Sequence, residues 1–149
     1  MIKEIDFDTI LPIWTNNLWP NRISAIETHS AMIYMSGKYD IDNFLFPVVY
    51  FGYYDNEHLV GVNSVHICSD NLARSRGLWV EPISRKKGVG KSLLERSINF
   101  AREYEVFGIW SFPRKSSWKT YNSVGFVLTS EWLCSETSDA NAYCYLGIK

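Results

Sequence analysis

Apolar and polar residues alternate over Ile2-Lys3-Glu4-Ile5-Asp6-Phe7, the period of a half-buried strand, and Asp8 or Thr9 can then cap a helix running to about Leu18, where Trp19-Pro20-Asn21 stops it. From Ser24 through Tyr34, Ile26, Ser30, Ile33 and Tyr34 lie near helical spacing and Gly37 suits an end, which predicts a second helix. Pro47 opens a β-branched and aromatic run, Val48 to Tyr54. Asp55-Asn56-Glu57 separates it from a similar run, His58 to Ile67, so the two form a hairpin. A third strand runs from Leu72 to Glu81 and ends at Pro82, which cannot donate to a ladder.

The period then changes. Val89, Leu93, Leu94, Ile98 and Ala101 recur at three and four, giving one apolar stripe on a helix to about Tyr104. Phe107 to Phe112 is a strand closed by Pro113. Ser116 or Ser117 caps a short helix to about Val124, and Gly125 suits its left-handed end. Two last strands lie near Phe126 to Trp132 and Tyr143 to Ile148, with a polar, mobile loop expected over Cys134 to Asn141. The order β-α-α-β-β-β-α-β-α-β-β describes a mixed α/β (α+β) fold. Its sheet of about seven strands is mostly antiparallel with helices on both faces and one right-handed parallel crossover. No repeat or linker interrupts it, so 1–149 reads as a single domain.

Composition narrows the function classes. A 46% apolar share excludes disorder, and a net charge of -1 gives no basic face for nucleic acid. Cys68, Cys134 and Cys144 are odd in number and unpaired in spacing, so neither a disulfide framework nor a metal site is expected. Acids stand in the first six residues and no apolar run approaches ~20 residues, so no membrane segment is expected and a cytoplasmic protein is.

The chemistry concentrates in Arg85-Lys86-Lys87-Gly88-Val89-Gly90-Lys91, between a strand and the strongest helix. The first N–H groups of a helix lack partners and its dipole adds positive charge. Glycines permit close approach, and four cations without an acid favour a diphosphate. Gly90-Lys91-Ser92 ends like a nucleotide P-loop, but Arg85 stands where that motif needs glycine. A dinucleotide fingerprint fails too, since antiparallel strands precede the turn.

Arg85-x-x-Gly88-x-Gly90, preceded by Val80-x-Pro82 and followed by Leu93-Leu94, resembles the acetyl-CoA signature of the GNAT N-acetyltransferase superfamily. Tyr121-x-x-x-Gly125-Phe126 after a short helix looks like that family's closing segment. The resemblance implies an acetyl-CoA-dependent N-acyltransferase without a metal, a monomer or homodimer, acting on an amine of a small molecule or peptide. It implies a coenzyme site formed by Val80, Arg85, Lys86, Lys87, Gly88, Val89, Gly90 and Lys91, with a backbone N–H near Val80 or Glu81 polarising the thioester. It also implies that the strand carrying Trp79 to Glu81 parts from the Phe107 to Phe112 strand to admit the pantetheine arm, and that Tyr121 protonates the leaving thiolate. For the base, Glu81, His66 and a water chain stay open, because Arg74 and Arg76 stand where some members carry a carboxylate. Arg114 replaces a frequent asparagine and Ser117 the usual alanine, so both are coenzyme-binding candidates at a site that departs from the family pattern. A non-catalytic acyl-CoA-binding domain of the same fold is the alternative. Glu131, Glu136 and Asp139 are the only charges from Thr120 to Ile148, an acidic bias suited to a cationic amine.

Overall fold

The computed structural model describes residues 1–30, 32–35, 44–135 and 138–149. Strand β1 (Ile2–Ile5) pairs antiparallel with β2 (Val48–Asp55), β2 with β3 (His58–Ile67), and β3 with β4 (Leu72–Val80). Helix α2 (Val89–Arg102) crosses over to β5 (Gly108–Ser111), which lies parallel to β4. After α3 (Trp118–Ser123), β6 (Val127–Leu128) and β9 (Cys144–Gly147) complete a seven-stranded sheet in the order β1-β2-β3-β4-β5-β9-β6. β7 (Leu133–Ser135) and β8 (Ser138–Asn141) form a separate ribbon. The mixed, mostly antiparallel sheet read from the sequence is therefore present.

Two cores hold the sheet. The predicted stripe of α2, Val89, Leu93, Leu94, Ile98 and Ala101, is buried against Val49, Phe51, Val65 and Ala73 on one face. Each valine, leucine or isoleucine of the stripe contributes about 1.5–3 kcal/mol. On the other face Ile10 of α1 (Phe7–Ile13) and Trp14, the residue after that helix, pack on Tyr50 and Val62.

Four local expectations need correction. The cap of α1 is Asp6, not Asp8 or Thr9: its carboxylate accepts the Thr9 hydroxyl at 2.5 Å and the Thr9 N–H at 2.8 Å, which together hold its pKa below the usual value. Pro12 lies inside this helix and lacks an N–H, and the chain continues to Leu18 as a wider π turn in which the Trp19 N–H reaches the Trp14 carbonyl at 2.7 Å. Between Ser24 and Met35 the described residues form bends and turns instead of a second helix. Side chains claim carbonyls there: Tyr50 Oη donates to Thr28 and Arg76 Nη1 to Glu27. The predicted strand after Phe126 shrinks to two residues, because the Ser130 hydroxyl, not a strand carbonyl, accepts the Tyr143 N–H at 2.9 Å. The segment expected as a mobile loop supplies β7 and β8. Glu136 lies outside the described residues.

Candidate active site

The site begins where two parallel strands stop pairing. β4 and β5 share only Leu72↔Gly108, Ala73↔Ile109 and Arg74↔Trp110. Beyond them the Ser111 hydroxyl donates to the Ser75 carbonyl at 2.7 Å, so a side chain takes the acceptor a ladder would use. On the other flank, the β3–β4 register slips between Val62 and Ser64, and Gly77 adopts φ +79°. This bulge is locked in place: Trp14 Nε1 donates to the Gly77 carbonyl at 2.9 Å, and a Cβ there would come within 2.4 Å of the indole.

The gap widens into a cleft of about 700 Å³ bordered by Leu78–Val80, the turn before α2, and α3. Arg85, Lys86, Lys91, Arg114 and Lys119 line it and, among the described residues, no carboxylate does. The Glu81 N–H is spent on the Val60 carbonyl at 2.8 Å, so strand alternation turns the N–H groups of Leu78 and Val80 toward the cleft. Of the two amides considered from sequence, only that of Val80 is available. Arg85 Nε donates to the Val80 carbonyl at 2.8 Å, tying the turn to the strand end.

The two glycines differ in purpose. Gly88 caps α2 at φ 84° and a Cβ there would meet nothing within 4 Å, so this position needs glycine for its backbone and borders open space. A Cβ on Gly90 would lie 3.2 Å from Thr120 Cγ2 and 3.6 Å from Val80 Cγ2. That glycine lets α2 seat against α3 and β4. The first intrahelical bond is from Ser92 to the Gly88 carbonyl, at 3.0 Å, which leaves the N–H groups of Val89, Gly90 and Lys91 at the helix mouth.

A smaller cavity of about 60 Å³ shares Leu18, Leu78, Arg114 and Ser117 with the cleft and continues it between the parted strands. Tyr121 lines it, 3% exposed, with its hydroxyl 3.5 Å from Ser111 Oγ. Because Ser111 gives its proton to Ser75, the phenol is the donor toward Ser111. Burial pushes the Tyr121 pKa up to about 12, so it stays protonated at neutral pH. Arg114 donates to the Leu18 carbonyl, closing one wall against the π turn.

Three sequence candidates stand apart. Glu81 lines neither cavity and pairs with His58 at 3.2 Å. Lys87 borders a different hollow near Tyr53 and Tyr54. His66 is fully buried on β3, and burial, with Arg74 and His29 beside it, pushes its pKa well below the usual value. Sequence reasoning missed the Gly77 bulge and the Ser75–Ser111 bond. Arg74-Ser75-Arg76 in a central strand was a visible signal that polar groups are buried there.

The sequence matches the model of the acetyltransferase (GNAT) family over residues 14–126. No curated protein matches it. The fold is similar to that of the yncA protein of Salmonella typhimurium solved with its cofactor acetyl-CoA, at 19% identity and TM-score 0.68 over 100% of this chain and 94% of that one. It is also similar to a GNAT-family acetyltransferase of Staphylococcus aureus, at 17% identity and TM-score 0.67 over 100% and 99%, and to Ard1 of Thermoplasma volcanium, at 16% identity and TM-score 0.67 over 100% and 97%. With the family model spanning the parted strands, the glycine turn and the Tyr121 helix, the chain belongs to the GNAT acetyltransferase family.

Proposed function

We propose that this protein transfers an acetyl or short acyl group from acetyl-CoA to an amine by direct attack within a ternary complex. The observation that carries the reading is the continuous trough between β4 and β5, basic and, among the described residues, free of acids at its mouth and ending on a protonated, buried Tyr121. The residues fit the coenzyme: an acid-free basic cleft, open space beside Gly88 and a free strand edge at Leu78 and Val80 suit a diphosphate followed by a peptide-like arm. When bound, the thioester supplies the activated acyl group.

The N–H groups of Val89, Gly90 and Lys91, with Arg85, Lys86 and Lys91, hold the diphosphate. The Val80 N–H donates to the thioester oxygen as charge develops on it. Ser117 and Arg114 border the passage between the wide and narrow parts of the trough and position the arm. Tyr121 donates its proton to the departing sulfur, with Ser111 holding the phenol in place until then. Glu81 and His66 lie off the trough, which favours water as the route by which the attacking amine loses its proton.

Thiol release from acetyl-CoA, measured across a panel of amines, tests the reading. Release above the spontaneous rate with at least one amine supports it. Tight acetyl-CoA binding with no release for any amine favours a binding domain.

A further inference from the structure

The inner cavity carries a charge that a coenzyme does not explain. Arg74, Arg76 and Arg114 line it, and among the described residues no acidic side chain does. Ser75 faces α2, where its hydroxyl accepts from Asn63 Nδ2 at 2.9 Å, so alternation sends Arg74 and Arg76 to the opposite face of β4. There Arg76 stacks on Trp14 at 4.8 Å and on Trp19 at 5.4 Å, and Arg74 lies 4.7 Å over Trp110.

Both guanidinium groups are buried, Arg74 7% and Arg76 4% exposed, yet among the described residues each makes one hydrogen bond, to the Ser30 hydroxyl and the Glu27 carbonyl respectively. Among the described residues the only ion pair is His58–Glu81, and Glu27, whose charge Arg76 senses, is exposed. Removal from water pulls the Arg74 pKa down to about 10 and that of Arg76 to about 9. Arg74 also sits in a cross-strand row, His66↔Arg74↔Trp110, in which His66 Nε2, Arg74 Nε and Trp110 Nε1 are all buried without a hydrogen-bond partner among the described residues. Buried cations and donors with no acceptor are costly unless a ligand supplies one.

We infer that Arg74 and Arg76 recognise an anionic group on the acceptor, so that the amine substrate is a small amino acid-like molecule carrying a carboxylate a few bonds from its nucleophilic nitrogen. The inference rests on the acyl-transfer reading above. The phosphates of the coenzyme belong at the basic mouth, while its arm and thioester are uncharged, so the inner arginines serve the acceptor. The cavity, about 60 Å³, has room for a small planar anion such as a carboxylate. Fork-shaped guanidinium donors suit that planar anion. The acidic bias of the sequence from Thr120 to Ile148 is compatible with this, since such a molecule also brings a cationic amine.

The test compares the standard L-amino acids with their C-terminal amides as acceptors of wild-type protein and acetyl-CoA, read by thiol release. At least one acid should be acetylated with kcat/KM ten-fold or more above its amide. Arg76→Gln should raise KM for that acid at least ten-fold and bring the acid-to-amide ratio near one, with Arg76→Lys recovering part of the preference and acetyl-CoA affinity unchanged in both. Equal use of acids and amides, or transfer only to amines without a carboxylate, overturns the inference and leaves the acyl-transfer reading intact. Transfer to no amine at all overturns both. The wild-type comparison needs no variant to fold.

Discussion

Ser111 and Ser75 are joined by a 2.7 Å hydrogen bond from the hydroxyl of one parallel strand to the carbonyl of the other, one step past their last ladder pair. The bond ends the ladder and also places Ser111 Oγ beside the Tyr121 hydroxyl. Tyr121→Phe should therefore lower kcat at least ten-fold with acetyl-CoA affinity unchanged, and Ser111→Ala should lower it less. An unaltered kcat in Tyr121→Phe removes the phenol as the proton donor.

Alkali acts on the fold through buried phenols and a thiol in both cores. Burial raises the pKa of Tyr121 from 10.0, Tyr50 from 10.0 and Cys144 from 9.0, each to about 12. At these three groups the folded state holds protons that the unfolded chain has released, so their contribution is full below pH 9 and falls as pH rises toward 12, while Arg74 and Arg76, pulled down to about 10 and about 9, act in the opposite sense over the same range. Thermal melts across that range isolate the phenol by comparison: Tm should fall more, or rise less, with pH in wild type than in Tyr121→Phe. Identical pH dependence in the two proteins contradicts the burial of Tyr121.

The bulge that parts the strands depends on a single close contact. Gly77→Ala combines φ +79° with a Cβ 2.4 Å from the Trp14 ring, and should cost about 2–4 kcal/mol in urea unfolding. Trp14→Phe deletes the bond to the Gly77 carbonyl and should cost about 1–3 kcal/mol. A loss under about 0.5 kcal/mol for Gly77→Ala, the range of an ordinary surface change, means that the bulge is not held as described.

Glu81 gives a negative control. Its carboxylate faces His58 and lines neither cavity, so Glu81→Gln should leave kcat within about two-fold. A fall of a hundred-fold or more in turnover restores it as the base, since that is the contribution of a positioned acid or base.

Much of the fold was legible because strong periods coincide with packing. The α2 stripe, the β2–β3 hairpin and the Pro82 stop each depend on neighbouring residues, and all three form. Long-range competition decided the misses. The segment after Ser24 has helical spacing but gives its carbonyls to Tyr50 and Arg76, residues far along the chain. For the site, the glycine turn and Tyr121 carried recognisable spacing, and the structure brings both to one trough. Glu81 and Lys87 had the right chemistry and sequence position, yet strand alternation and the turn point them elsewhere. The distinct tasks of Gly88 and Gly90 were invisible until Thr120 and Val80 stood beside one of them.

Calorimetric titration of acetyl-CoA into wild type, Gly88→Leu and Gly90→Val tests the site most directly. Wild type should bind one equivalent. Gly88→Leu fills the open space of the cleft and Gly90→Val wedges α3 from α2, so each should weaken binding at least ten-fold, about 1.4 kcal/mol, while the circular dichroism spectrum persists. No binding by wild type, or unchanged affinity in a folded Gly88→Leu, would contradict the assignment of this trough to the coenzyme.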